Sequence, residues 1–137
     1  GIRMEILKKQ VLNLNLQGFV IFKGFETELY SYYKNAKFFV LSSKYEGLGM
    51  VLIESLFCGT PVVSFDCDFG PNEIIQNKMN GLLVENQNTD KLTEAMNLLS
   101  EDEKLYKFCK SNALKSIQKF SKEHISKQWI SIFNDKH

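Results

Sequence analysis

The 137-residue sequence is short of the features that mark several protein classes. Its formal net charge is +1 and its lysines are scattered, so nothing in its bulk charge favours a nucleic-acid partner. No apolar stretch approaches the roughly 20 residues that cross a bilayer. The N-terminal stretch GIRMEILKKQ is charged and amphipathic, so we expect no signal peptide there.

Cysteine and histidine are also scarce. The three cysteines, Cys58, Cys67 and Cys109, form no CxxC pair and cannot all be paired, which favours reduced thiols in a cytoplasmic protein. His124 and His137 lie near the C-terminus and have no ligand-like spacing to a cysteine, so we expect no metal site. A hydrophobic content of 44% is ordinary for a globular chain, and the length suits a single domain over residues 1–137.

Helix and strand patterns alternate over the first 65 residues. Short apolar runs predict strands at Phe19–Phe22, Phe38–Leu41, Val62–Phe65 and Leu82–Val84. Apolar residues at helical spacing predict helices at 2–16, 26–35, 50–58, from the cap to 99, 102–120 and 122–133. The candidate caps are Thr27 for the second of these helices and Thr89 or Asp90 for the fourth. The last two are the C-terminal helices, over 102–134. This order predicts an α/β fold, a Rossmann-like open parallel sheet with flanking helices.

The C-terminal predicted helix, Lys122–Phe133, carries Trp129 on its apolar face. We expect that face to pack on the core. A partly exposed face and a peripheral membrane contact are weaker alternatives, because the segment has few lysines.

The stretch Phe38–Ile75 contains two glycine loops, the first at 42–49 and the second at 66–72, and each follows a predicted strand. Ligands of parallel sheets bind at the carboxyl ends of strands, so both loops should lie at the binding edge. Gly47 and Gly49 precede a helix, whose first amides have no internal partner and could hold phosphate. The alternative is that glycine is present only for a positive φ.

Two carboxylates lie on either side of the two glycines of the first loop. Glu54 lies in the otherwise apolar run from Met50 to Cys58, and a buried carboxylate needs a partner, which the diol of a ribose could provide. The alternative is a glutamate that reaches solvent at the helix edge or pairs with a lysine. Glu46 lies on the loop itself. It could contact a sugar beyond a diphosphate, or be an exposed loop carboxylate.

Four motifs in order carry a family resemblance. Residues 46–54, EGLGMVLIE, match the E-x7-E signature of retaining glycosyltransferases and resemble glycosyltransferase family 4. Residues 58–64 are similar to that family's CGxPVV turn and strand, residues 70–75 to its GPxEII segment, and residues 80–84 to its NGxLV strand.

The resemblance implies the C-terminal, donor-binding domain of a GT-B enzyme that transfers a sugar from a nucleoside diphosphate, with UDP expected, and with retention. It implies that Glu54 binds the ribose and that Glu46 is the catalytic residue near the donor sugar. The amides of Gly47, Leu48, Gly49, Met50 and Val51 would hold the diphosphate, with Gly70, Pro71 and Glu73 as a second loop. No metal or other cofactor is implied. The acceptor, a glycan or a lipid-linked sugar of polysaccharide or glycoconjugate synthesis, would be bound by an N-terminal domain.

The sequence departs from the family pattern at its beginning. Gly1-Ile2-Arg3 aligns with the end of a turn after the second strand of this domain, so the first two strands and their basic residues are absent. In the strand order 3-2-1-4-5-6 those strands lie between Phe19–Phe22 and Phe38–Leu41. We therefore expect a fragment, inactive alone, or a gap filled by another copy. A GT-B epimerase of nucleotide sugars and a non-catalytic nucleotide-binding module remain as alternative functions. A place at the cytoplasmic face of a membrane is also left open.

Overall fold

The computed structural model describes residues 2–121 of the chain. Its elements, in chain order, are α1 (Ile2–Asn13), α2 (Tyr30–Asn35), β1 (Phe39–Leu41), α3 (Met50–Phe57), β2 (Val62–Asp66), α4 (Pro71–Ile74), β3 (Gly81–Glu85), α5 (Thr89–Glu101), α6 (Glu103–Ser116) and a 3-10 turn at Gln118–Phe120. Within the described residues, no helix has the length and hydropathy of a membrane span. The predicted helix at 122–133, with Trp129, lies outside them.

The three strands form one parallel sheet in the order β1-β2-β3. Phe39 is in register with Val62, and Val62 with Gly81. The α/β prediction is therefore confirmed, and so is the neighbour order of these strands. Because the strands are parallel, the loops that follow β1 and β2 leave the sheet at the same edge.

The core lies on both faces of β2, because successive side chains of a strand point to opposite faces. Val62 packs with a cluster from α3, α4 and α6, which includes Leu52, Leu56, Ile74 and Ala113. Val63 and Phe65 pack on the other face with a cluster from β3, α5 and α6, which includes Leu82, Leu92, Leu99 and Cys109. This double coverage fixes β2, and with it the two glycine loops.

The predicted strand at Phe19–Phe22 is wrong, because this segment is irregular. The side chains of Phe19 and Ile21 are 83% and 75% exposed. A strand needs a neighbour for its backbone groups, and no described strand lies beside this segment. The sheet of the described residues accordingly has no internal gap, and the side of β1 away from β2 forms its edge.

Two predicted helix starts also differ from the structure. The second helix begins at Tyr30 rather than Glu26, with Leu29 and not Thr27 at its N-cap. The cap of α5 is Asn88, whose side-chain oxygen accepts a hydrogen bond from the Lys91 amide at 3.0 Å. Asn is as good a cap as Thr or Asp, so the sequence offered adjacent candidates of equal quality.

Candidate functional site

The first glycine loop connects β1 to α3 at the carboxyl edge of the sheet. Gly49 is the N-cap of α3 and has φ +73°, a left-handed conformation that glycine adopts without a steric cost. The Leu52 amide donates to the Gly49 carbonyl at 2.9 Å and closes the first turn. The amides of Met50 and Val51 therefore lie at the positive end of the helix, where the helix offers them no acceptor.

The second glycine loop packs directly on the first. Gly70 has φ +88°, and a Cβ there would lie 2.5 Å from the Gly47 carbonyl oxygen and 2.9 Å from the Leu48 carbonyl carbon. Phe69 before it also has a positive φ, of 66°, which is strained for a bulky residue. The sequence-predicted residues Gly47, Leu48 and Gly70 are thus brought together, and only glycine fits at position 70.

Hydrogen bonds to the residues just after the second loop hold that loop in place. The Asn80 side chain is fully buried, donates to the Ile74 carbonyl at 3.0 Å and accepts from the Gln76 amide at 2.9 Å. Lys119 donates to the Glu73 carbonyl at 2.6 Å. The sequence identified Asn80 only as a turn and motif residue, and its loop-holding role depends on contacts that spacing does not show. Pro71 is buried at the start of α4, and Glu73 is exposed.

Glu54 is exposed, so the expectation of a carboxylate buried in the apolar run from Met50 to Cys58 is wrong. Only one side of α3 is buried, through Leu52, Ser55 and Leu56, whereas Met50 and Phe57 are 54% and 62% exposed. Glu54 instead reaches solvent at the helix edge, where its carboxylate is accessible to a ligand. Its Oε2 accepts a hydrogen bond from the Tyr33 hydroxyl at 3.2 Å.

A cavity of about 430 Å³ adjoins the Glu54 carboxylate. Its lining residues come from α2 with the loop before it and from α3 with the residue after it: Thr27, Glu28, Leu29, Tyr30, Tyr33, Glu54, Phe57 and Cys58. The volume is within the range of about 300–1,000 Å³ typical of small-molecule sites. No local pattern in the sequence indicates that residues 27–30 form a cavity wall, because only the folded loop places them opposite α3.

The Glu54 carboxylate also affects two neighbouring groups. Burial, with the charge and hydrogen bond of Glu54, raises the pKa of Tyr33 to about 12, so its hydroxyl remains a donor at neutral pH. Burial and the same carboxylate raise the pKa of the Cys58 thiol, partly offset by Lys34. Cys58 is therefore a protonated, half-buried thiol in the cavity wall.

Glu46 lies at the other end of the first loop and is half-buried. Burial raises the pKa of the Cys67 thiol, and the carboxylates of Glu46, Asp66 and Asp68 raise it further, against a backbone hydrogen bond that lowers it. The neighbouring Gly47 carbonyl lies against Gly70, so Glu46 lies close to the loop that follows β2. Along the chain, the two predicted carboxylates thus lie before and after the amino end of α3.

The parallel sheet with its two glycine loops defines a Rossmann-like domain, and comparison with known proteins gives the family. The profile described as "Glycosyl transferases group 1" matches residues 3–116, so the chain belongs to the glycosyl transferases group 1 family.

Two curated relatives cover nearly the whole chain. The poly(ribitol-phosphate) alpha-N-acetylglucosaminyltransferase of Staphylococcus aureus is 33% identical over 93% of this chain. The poly(glycerol-phosphate) alpha-glucosyltransferase of Bacillus subtilis is 30% identical over 98%. The chain spans only 26% and 20% of the lengths of these two relatives.

Solved structures share the fold. TarM matches 95% of this chain, which spans 26% of the TarM chain, with a TM-score of 0.80 and 33% identity. Anabaena Alr3699/HepE, crystallised in complex with UDP, matches 96% of this chain, which spans 36% of that chain, with a TM-score of 0.86 and 25% identity. These matches confirm the Rossmann-like GT-B type of domain.

Proposed function

We propose that this chain is the donor-binding part of a glycosyltransferase that transfers the sugar of a UDP-sugar to a glycan or lipid-linked acceptor and releases UDP. The observation that carries the proposal is the position of the Glu54 carboxylate, on the wall of a 430 Å³ cavity and on the same helix as the amides of the first glycine loop. The names of the two curated relatives describe transferases that glycosylate polymers. HepE was crystallised in complex with UDP.

Each part of the surface suits one part of a nucleotide sugar. The Glu54 carboxylate would accept hydrogen bonds from the two ribose hydroxyls, because it is exposed and keeps free lone pairs. The base would lie in the cavity, where the exposed rings of Tyr30 and Phe57 offer apolar surface. The amides of residues 47–51 would hold the diphosphate. Glu46 would lie beside the sugar as the catalytic residue.

The amides at the start of α3 would also stabilise the charge that develops during the reaction. Charge accumulates on the diphosphate as it leaves, and preorganised donors at the amino end of α3 stabilise that charge without reorganisation. We propose that transfer proceeds in this way with retention, as in family 4, and without a bound metal. The acceptor would be bound by a separate N-terminal domain, in the cytoplasm or at the cytoplasmic face of a membrane. This chain alone would bind the donor without transferring its sugar.

The proposal is tested by titration calorimetry of UDP against the chain and its Glu54→Gln variant. Removing the charged acceptor from two hydroxyls should weaken UDP binding by at least about tenfold. Glu101→Gln, at the exposed end of α5, is the matched control and should bind as the unmodified chain does. Equal affinities of the Glu54→Gln variant and the unmodified chain would remove Glu54 from the ribose role. A folded chain that does not bind UDP would contradict the proposal as a whole.

A further inference from the structure

Tyr33 is 5% exposed, yet its hydroxyl reaches the cavity wall and donates to Glu54. Its ring packs edge-to-face on Phe39 of β1, with centroids 5.4 Å apart and planes at 86°. Its carbonyl accepts a hydrogen bond of 2.6 Å from the Thr60 hydroxyl. The sheet therefore holds the ring, and the turn that leads into β2 holds the backbone of Tyr33, which together restrict the position of the hydroxyl.

The turn that holds Tyr33 is fastened to the helix that carries Glu54. Thr60 and Ser55 exchange two hydrogen bonds, from the Ser55 hydroxyl to the Thr60 carbonyl at 3.1 Å and from the Thr60 amide to the Ser55 carbonyl at 3.0 Å. Both residues are buried. A closed circuit therefore runs from Glu54 through its neighbour Ser55 to Thr60, to Tyr33 and back to the Glu54 carboxylate.

An exposed glutamate without such a partner samples several rotamers. Ordering it on binding costs side-chain entropy. A donor that already holds one carboxylate oxygen removes much of that cost before the ligand arrives. The carboxylate has about four lone-pair sites, of which Tyr33 occupies one on Oε2, so enough acceptors remain for two hydroxyls.

From this circuit we propose that Tyr33 is a positioning residue: it holds the Glu54 carboxylate in the orientation that accepts the vicinal hydroxyls of a ribose. The inference rests on the proposed ribose role of Glu54 and adds the residue that makes that role effective. The raised pKa of Tyr33 agrees with it, because the hydroxyl keeps its proton throughout the physiological range.

The Tyr33→Phe variant removes the hydroxyl and keeps the packed ring. UDP affinity should fall about fivefold, the size of one net hydrogen bond. Tyr32→Phe is the matched control: Tyr32 is the adjacent residue of α2, and its hydroxyl also donates to a glutamate, Glu26, at 3.2 Å. That variant should bind UDP as the unmodified chain does.

Two further titrations separate positioning from general loosening of the fold. With 2′,3′-dideoxy-UDP, which lacks both ribose hydroxyls, Tyr33→Phe should have no effect on affinity. In a Glu54→Gln background, Tyr33→Phe should lower UDP affinity by less than about twofold, because the two residues act as a unit. Equal loss for UDP and its dideoxy analogue, or additive losses in the double variant, would overturn the proposal.

The outcomes also distinguish this inference from the function on which it rests. If Glu54→Gln weakens UDP binding and Tyr33→Phe does not, only the positioning role fails. If Glu54→Gln leaves UDP binding unchanged, the ribose role fails. A ligand-free readout decides the orientation itself: side-chain scalar couplings in NMR should report one dominant Glu54 rotamer in the unmodified chain and rotamer averaging in Tyr33→Phe. Averaging in both proteins would overturn the proposal.

Discussion

The two ends of the candidate site are built in different ways. At the Glu54 end (Tyr33, Glu54, Cys58 and the cavity), side chains are held by hydrogen bonds and ring packing around an open volume of about 430 Å³. At the Glu46 end (Glu46, Gly47, Cys67 and Gly70), two backbone loops meet so closely that a Cβ at position 70 would lie 2.5 Å from the Gly47 carbonyl oxygen.

This difference matches the chemistry proposed for each end. A nucleoside offers hydroxyls and a flat apolar ring, which oriented side chains and aromatic surfaces recognise. A diphosphate offers charge, which backbone amides recognise wherever the chain can approach closely. Substitutions should therefore disturb the Glu46 end through the backbone and the Glu54 end through individual side-chain atoms.

The largest effect is expected from Gly70→Ala. The added Cβ would clash with backbone of the first loop, and φ +88° is strained for alanine, so we expect a loss of about 3 kcal/mol in the free energy of unfolding. UDP binding should weaken as well, because the loops must separate. Denaturant unfolding and calorimetry measure the two effects.

Gly59→Ala is the control for the Gly70 prediction. Gly59 has φ +76°, but a Cβ there would meet nothing within 4 Å, so it should cost only the conformational strain of about 1 kcal/mol. If the two alanine variants were equally stable, the contact between the glycine loops would not be what requires glycine at position 70.

A smaller, chemical contrast is expected between the cysteines of the two ends. Cys58 is partly exposed in the cavity wall, whereas Cys67 is 1% exposed, so iodoacetamide should modify Cys58 at least about tenfold faster. Because its pKa is raised, the Cys58 rate should keep climbing above pH 9. UDP should slow it. Mass spectrometry of timed digests measures each site, and a Cys58 rate that is indifferent to UDP would argue against a nucleoside in the cavity.

The smallest effect is a change in the ionisation of Tyr33. Its pKa is about 12 in the folded protein against an ordinary 10, so the folded state binds this proton more tightly. The stabilisation is complete below pH 10 and is lost as the pH rises towards 12. Glu54→Gln removes the neighbouring charge and should lower the Tyr33 pKa, while burial keeps it above 10. Carbon-13 NMR of labelled tyrosine measures the Tyr33 pKa. An equal Tyr33 pKa in the Glu54→Gln variant and the unmodified chain would refute the contact between Tyr33 and Glu54.

The sequence predicted the sheet well where apolar runs have neighbours to pair with. The strands near Phe39, Val62 and Leu82 were recognisable because each is a short apolar run bounded by turn residues. The run Phe19–Phe22 has the same local pattern and is not a strand, because strand formation needs a partner and local composition does not show one. The helices α5 and α6 were found from their periodicity, but the cap of α5 was misplaced, and α6 ends at Ser116, before a 3-10 turn, rather than at residue 120.

The candidate site was predicted in part. The glycine loops were located from their spacing, and their contact through Gly70 follows from the parallel sheet. The exposure of Glu54 was not predicted, because an apolar helix sequence does not reveal which of its sides the rest of the chain covers. Tyr33 lies 21 residues from Glu54 in sequence, so their hydrogen bond has no local signal. Lys119 and Asn80 likewise contact distant segments, at Glu73 and at Ser116 respectively.

The most direct test of the proposed arrangement is a comparison of UDP with UDP-glucose in the Glu54→Gln and Glu46→Gln variants. Glu54→Gln should weaken both ligands by the same factor, at least about tenfold, because both contain the ribose. Glu46→Gln should leave UDP affinity unchanged and weaken UDP-glucose by about threefold or more, because only the latter places a sugar at that end. A Glu46→Gln variant that loses UDP as strongly as Glu54→Gln would contradict the assignment of the nucleoside and the sugar to separate ends.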